Sequence, residues 1–90
     1  MSEFGELKPS DKCGIVAIAS TSPVAKDLYY GLRILQHRGQ ESGGIATFDR
    51  GETRSKRGMG LVHEIFRPED MEHLRGNAGI GHVRYSTTGS

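Results

Sequence analysis

The seven residues Cys13-Gly14-Ile15-Val16-Ala17-Ile18-Ala19 form an apolar, β-branched run that stops at Ser20. A run this short gives fewer than two helical turns, whereas it is an ordinary length for a strand, so it predicts a buried strand over Gly14 to Ala19. The residues after it constrain the fold further. Thr21-Ser22-Pro23 reads as a helix start, with Ser22 as the cap and Pro23 at the first helical position. Val24, Leu28, Leu32 and Leu35 then recur at spacings of four, four and three, one face of a helix that Gly39 can close in the left-handed conformation. A strand feeding a helix with a single apolar stripe implies a sheet layer packed on a helix layer.

The rest of the chain supplies more strands than helices. Gly43 to Phe48 reads as a second strand, Asp49-Arg50-Gly51-Glu52 as its turn, and Glu52 to Arg57 as the exposed partner of a hairpin, broken by Gly58 and Gly60. Leu61 to Phe66 suits a helical turn. Pro68-Glu69-Asp70 opens a short helix through Leu74, with acids where the helix dipole favours them. Ala78 to Tyr85 returns to a strand, and Ser86 to Ser90 reads as an unfinished polar loop, as if the chain were cut there. Thirteen glycines in ninety residues is about twice the usual share, which fits tight turns and close backbone approach.

Several function classes fall away. A net charge of +1 predicts neither nucleic acid nor an acidic membrane as partner. The basic residues Arg50, Arg54, Lys56 and Arg57 are interrupted by Glu52 and lack interleaved aromatics for base stacking. The leader, residues 1–12, has no apolar core of a signal peptide, and no stretch approaches a membrane span, so a cytoplasmic location is expected. His37, His63, His73 and His82 fit no close-ligand spacing, and no cysteine pair accompanies them, so no metal site is expected.

Cys13 is the only cysteine. It cannot form an internal disulfide and cannot alone hold a zinc ion, which leaves a packed core thiol or a nucleophile. Its position favours the second. Cleavage after Lys12 would give Cys13 both a thiol and an α-amine, and an amine titrating near ~7.7–8.0 can take a proton from a thiol near ~8.5.

Three blocks stand in order: Cys13-Gly14-Ile15-Val16, then Leu35-Gln36-His37-Arg38-Gly39-Gln40-Glu41-Ser42-Gly43-Gly44, then Gly79-Ile80-Gly81-His82-Val83-Arg84-Tyr85-Ser86-Thr87-Thr88-Gly89. Together they closely resemble the start of the glutaminase domain of the amidophosphoribosyltransferase family, which makes phosphoribosylamine from phosphoribosyl pyrophosphate in purine synthesis. Glucosamine-phosphate synthases differ: Tyr85 follows Arg84 where they resemble a tryptophan, and Thr88 stands where they have histidine.

The resemblance implies an α+β fold, the four-layer αββα sandwich of N-terminal nucleophile hydrolases, here only its N-terminal part. Residues 1–12 would be a propeptide and residues 13–90 the truncated domain. It implies Cys13 as the catalytic nucleophile on glutamine, Arg84 and Thr87 at the glutamine α-carboxylate, and Arg38 and Gly39 as supporting residues near the thiol. Family members use magnesium in the phosphoribosyltransferase domain, and several with a leader bind an iron–sulfur cluster through downstream cysteines. Neither cofactor is expected within this chain, only in a longer, homo-oligomeric parent. The family's oxyanion hole and the aspartate for the glutamine amine lie beyond Ser90, so the ninety residues alone are expected to be inactive. Two rival readings are another glutamine amidotransferase with a different acceptor, and a non-catalytic interaction module that keeps the scaffold.

Overall fold

The computed structural model describes residues 3–7, 13–36 and 40–85. In chain order these residues form β1 (Glu3–Leu7), β2 (Cys13–Ala19), α1 (Ala25–Leu35), β3 (Gln40–Asp49), β4 (Glu52–Met59), α2 (Val62–Ile65), α3 (Pro68–His73) and β5 (Ala78–Tyr85). The strands make one antiparallel sheet in the order β1-β2-β5-β3-β4. The last strand in sequence therefore lies between β2 and β3, and α1 packs on β2 and β5.

Period-2 burial runs through the sheet. In β2, Gly14, Val16 and Ile18 are buried while Cys13, Ile15 and Ala19 are exposed; in β5, Gly79, Gly81, Val83 and Tyr85 are buried while Ile80, His82 and Arg84 are exposed. The expected buried strand is thus buried on one face only. Its continuous apolar run puts hydrophobic residues on both faces, and the helices cover just one. Val16, Ile18, Ile45 and Val83 meet Leu28, Leu32, Val62 and Leu74 in that core. Each such large side chain contributes roughly 1.5–3 kcal/mol by leaving water. The helix rides low over β5 because Gly81 has no side chain: a Cβ there would stand 3.1 Å from Leu32 Cγ.

The apolar stripe of α1 is as expected, with Val24, Leu28, Leu32 and Leu35 all buried. Its start is not. The helix begins at Ala25, with Val24 at the cap position and no side-chain cap. Residues ahead of it are tied elsewhere: Ser20 N–H donates to Asn77 O (2.7 Å) and Val24 N–H to Gly76 O (3.0 Å). The hydroxyl of Ser20, not Ser22, takes the local turn bond, from Ser22 N–H at 3.2 Å. At the other end Gln36 turns extended, and its side-chain oxygen accepts from Val62 N–H at 2.8 Å, so the residue ending α1 caps α2.

Other boundaries shifted for similar reasons. β3 starts at Gln40 rather than Gly43, because the buried Gln40 amide donates to Ser42 O (2.9 Å) and Gly60 O (2.7 Å) and stitches a polar segment into the sheet. β4 runs through Gly58 to Met59, since Gly58 pairs with Gly43. The short helices over residues 62–65 and 68–73 and the strand Ala78–Tyr85 fall where the sequence places them. At α3, Asp70 accepts from Arg67 N–H (2.8 Å) and from Lys56 (2.7 Å). Slight burial opposes ionisation of Asp70, but those two bonds outweigh it and hold the carboxyl below its ordinary value.

The sequence gives no signal for β1. Glu3–Leu7 pairs antiparallel with β2, Leu7 opposite Val16 and Glu3 opposite Ala19, with a bulge between Phe4 and Glu6. A segment read as a plain polar leader therefore covers the edge of the strand that bears Cys13.

Candidate active site

Cys13 is the first residue of β2 and is exposed, so the packed core thiol is excluded. The register places it opposite Arg84 of β5, and Arg84 opposite Ser42 of β3, which in turn faces Met59 of β4. These four residues form one row across four strands, on the face that the helices leave uncovered. Facing residues in an antiparallel pair hold their Cβ atoms ~4.5–5.5 Å apart. Two residues separated by seventy-one positions of sequence thus share one short span of sheet.

One row further along stand Ile15, His82, Gly44 and Arg57. The imidazole of His82 leans on Gly44: a Cβ on that glycine would lie 2.6 Å from Nε2. That local cover, and then the Arg57 cation, push His82 below its ordinary value although the residue as a whole is exposed. The row thus holds one cation, Arg57, and a ring whose depressed titration favours its neutral form.

Behind Cys13, on the covered face, the buried hydroxyl of Tyr85 donates to the carbonyl of Leu35. Burial raises the phenol above its ordinary value, and the nearby Cys13 adds to this. The sequence marks Tyr85 only as a family-distinguishing residue and gives Ser42 no role, so neither is expected at the site. Period-2 patterning gives each residue's face, but not which residue it meets across the sheet. Thr87, Arg38 and Gly39 lie outside the described residues.

Two clefts open elsewhere. One of about 210 Å³ lies between α1 and α3, lined by Lys26, Tyr29, Tyr30, Phe66, Arg67, Pro68 and Met71. A polar one of about 470 Å³ lies at the β3–β4 turn. Neither includes Cys13 or Arg84, whose row is open along the sheet. Among the described residues no three His, Cys, Asp or Glu side chains converge as a metal site would require.

A helix-covered antiparallel sheet with Cys13 heading one strand and Arg84 facing it agrees with the N-terminal nucleophile layer that the sequence resemblance implies. A solved structure described as the allosteric regulatory enzyme of purine biosynthesis superposes with a TM-score of 0.73 at 39% identity, covering 84% of this chain and 16% of that one. The fold is accordingly the α+β, N-terminal nucleophile type, of which the described residues form one sheet and one helix layer.

Within that class the likeness is to amidophosphoribosyltransferases. The Methanothermobacter thermautotrophicus enzyme is 58% identical over 89 residues, 96% of this chain and 19% of the relative. The Archaeoglobus fulgidus enzyme is 60% identical over 79 residues and the Escherichia coli enzyme 49% over 79, covering 86% and 87% of this chain. The chain spans only 16–19% of the length of these relatives. No protein-family profile matches it.

Proposed function

We propose that the chain is the nucleophile-bearing part of a glutamine-dependent amidophosphoribosyltransferase, in which Cys13 releases ammonia from glutamine for phosphoribosylamine synthesis from phosphoribosyl pyrophosphate. The observation that carries this reading is the register pair Cys13–Arg84 on the uncovered face of the sheet. Both side chains stand on one face of neighbouring strands, and only four bonds separate the α-carboxylate carbon of glutamine from its side-chain amide carbon. A glutamine whose carboxylate is held by the planar fork of Arg84 can therefore present its amide to Cys13.

The chemistry needs a base, and in the uncut chain the Cys13 nitrogen is an amide without a basic lone pair. Hydrolysis of the Lys12–Cys13 bond, with one water consumed, would free residues 1–12 as a propeptide and leave an α-amine on Cys13. That amine takes the thiol proton as sulfur attacks the glutamine amide carbon. The tetrahedral adduct collapses by breaking the C–N bond, the proton passes to the departing nitrogen, and ammonia leaves a glutamyl thioester. Water then hydrolyses the thioester to glutamate and restores the thiol. Thr87 would complete the carboxylate site, and Arg38 and Gly39 would order the loop beside the thiol.

The chain's own residues do not fit the family's metal groups. It has one cysteine, where a cluster needs several thiolates. The described residues hold no convergent carboxylates for magnesium. In this proposal magnesium, any iron–sulfur cluster, the pyrophosphate site and the contacts of a homo-oligomer belong to the longer parent. No described helix is long and apolar enough to cross a membrane, and we assign the parent to the cytoplasm.

The test is Cys13→Ala in the full-length parent. It should lower glutamine-dependent synthesis by at least about 10³-fold, because the covalent step is lost, and leave ammonia-dependent synthesis in place. Retention of glutamine use by this variant would overturn the assignment. Mass spectrometry of the wild-type parent should find a chain that starts at Cys13.

A further inference from the structure

Tyr85 ends β5 with 8% of its surface exposed, and its hydroxyl reaches back across fifty positions of sequence to the carbonyl of Leu35. The last carbonyls of a helix have no partner within it, so this bond supplies one to the final residue of α1. Leu35 in turn bears on the strand of the nucleophile. A Cβ at Gly14 would stand 3.2 Å from Leu35 Cδ1 and 3.5 Å from Val83 Cγ2, so the residue next to Cys13 lies against the side chain of the same residue whose carbonyl Tyr85 holds. Cys13 is close enough to Tyr85 for its charge to raise the phenol's titration, after burial. Tyr85, Leu35 and Gly14 thus form a continuous support from the core to the underside of Cys13.

We propose that Tyr85 is a positioning residue: its hydroxyl fixes the end of α1 beneath Gly14 and thereby holds Cys13 where the amide of an Arg84-anchored glutamine reaches it. This rests on the glutaminase reading above. The support lies on the covered face, opposite the carboxylate site, so its loss should misplace the attacking sulfur without weakening glutamine's hold. Attack geometry is sensitive to small displacements, and an interaction that matters only at the transition state appears in kcat rather than KM.

The experiment is steady-state glutamine-dependent synthesis by the full-length parent. Tyr85→Phe keeps the ring and removes the donor; kcat with glutamine should fall about tenfold and KM stay within about twofold, while ammonia-dependent synthesis is unchanged. Gly14→Ala, which presses on Leu35 from the other side, should give a comparable fall, and the double variant should lose less than the product of the two. Tyr29→Phe, whose hydroxyl only accepts from Arg33 at 3.3 Å on α1, should alter neither constant. An unchanged kcat in Tyr85→Phe, a rise in KM alone, or a parallel loss of the ammonia reaction would each overturn the proposal. Should Gly14→Ala fail to fold, Tyr85→Phe decides the matter alone. Cys13→Ala run beside them separates the two readings. If it retains glutamine use, the glutaminase assignment fails; if it loses it while Tyr85→Phe is normal, only the positioning role fails.

Discussion

The two faces of one sheet have different jobs. The helix-covered face presents Gly14, Val16, Ile18, Ile45, Gly81 and Val83, side chains that are small or aliphatic and almost wholly buried. The uncovered face carries Cys13, Arg84, Ser42 and His82 among apolar residues left open, with Ile15 at 47%, Ile80 at 45%, Phe48 at 48% and Met59 at 70% exposure. Strand geometry forces this partition, because neighbouring residues point to opposite faces. A chain can therefore hold its fold with every second residue and vary its chemistry with the others. In β5 the two tasks interleave residue by residue: Val83 packs, Arg84 faces the thiol, Tyr85 packs again.

That contrast breaks first under a substitution on the covered face. Leu32 of α1 is fully buried over β2 and β5, and Leu32→Ala should cost about 2–5 kcal/mol, by lost transfer energy and by the cavity left behind. The loss is best read locally, as faster amide exchange in β2 and β5. Open-face Ile15→Ala is the matched comparison and should cost far less, since nearly half of its surface is already exposed. Equal costs for the two would show that the uncovered face is packed as tightly as the covered one, and the partition would not hold.

How far the sequence reveals each face depends on the same geometry. The stripe of α1 and the strands over 13–19 and 78–85 are legible because hydrophobic period is a local property. The starts of α1 and β3 are not, because they depend on partners far away in sequence: Gly76 and Asn77 for the segment before Ala25, Gly60 for Gln40. β1 is hidden for another reason. Its five residues, Glu-Phe-Gly-Glu-Leu, show no sustained apolar alternation, and an edge strand needs backbone pairing more than an apolar face. For the site, Cys13 stands out as a candidate nucleophile by its position and the family blocks together, and Arg84 only through the family blocks. Their adjacency comes from register, which sequence patterning does not carry. Ser42 and Tyr85 are silent for that reason.

On the uncovered face the next test is Arg84. A carboxylate held at one end of glutamine lies several bonds from the reacting amide, so the contact is similar in ground and transition states and its loss falls on KM. Charge-assisted hydrogen bonds contribute about 1.5–3 kcal/mol, so Arg84→Ala in the parent should raise KM for glutamine roughly 10- to 150-fold with kcat largely kept. Arg84→Lys should recover little, because an ammonium lacks the bidentate fork. Set beside Tyr85→Phe, expected to move kcat and not KM, this makes the two faces separable in one kinetic table. A normal KM in Arg84→Ala would reduce Arg84 to a surface charge.

The smallest effect expected is a pH dependence from His82, one row from Cys13. Burial, and then the Arg57 cation, depress its titration in the folded protein below the ordinary value near ~6.5. As pH falls, the unfolded chain therefore takes the proton first. The stability associated with neutral His82 is full above the unfolded value, is lost as pH drops through it towards the folded value, and falls no further once both states are protonated. His82→Gln should accordingly flatten the decline in unfolding midpoint of the parent between about pH 7.5 and pH 5.5. Arg57→Gln, which removes only the second cause, should flatten it less. The size of the effect also reports on the face itself: any further element seated over Ile15, Ile80 and Phe48 would deepen the burial that is already the larger cause. A His82→Gln profile that overlays the wild type would mean that the ring is solvated and that this strip behaves as ordinary surface.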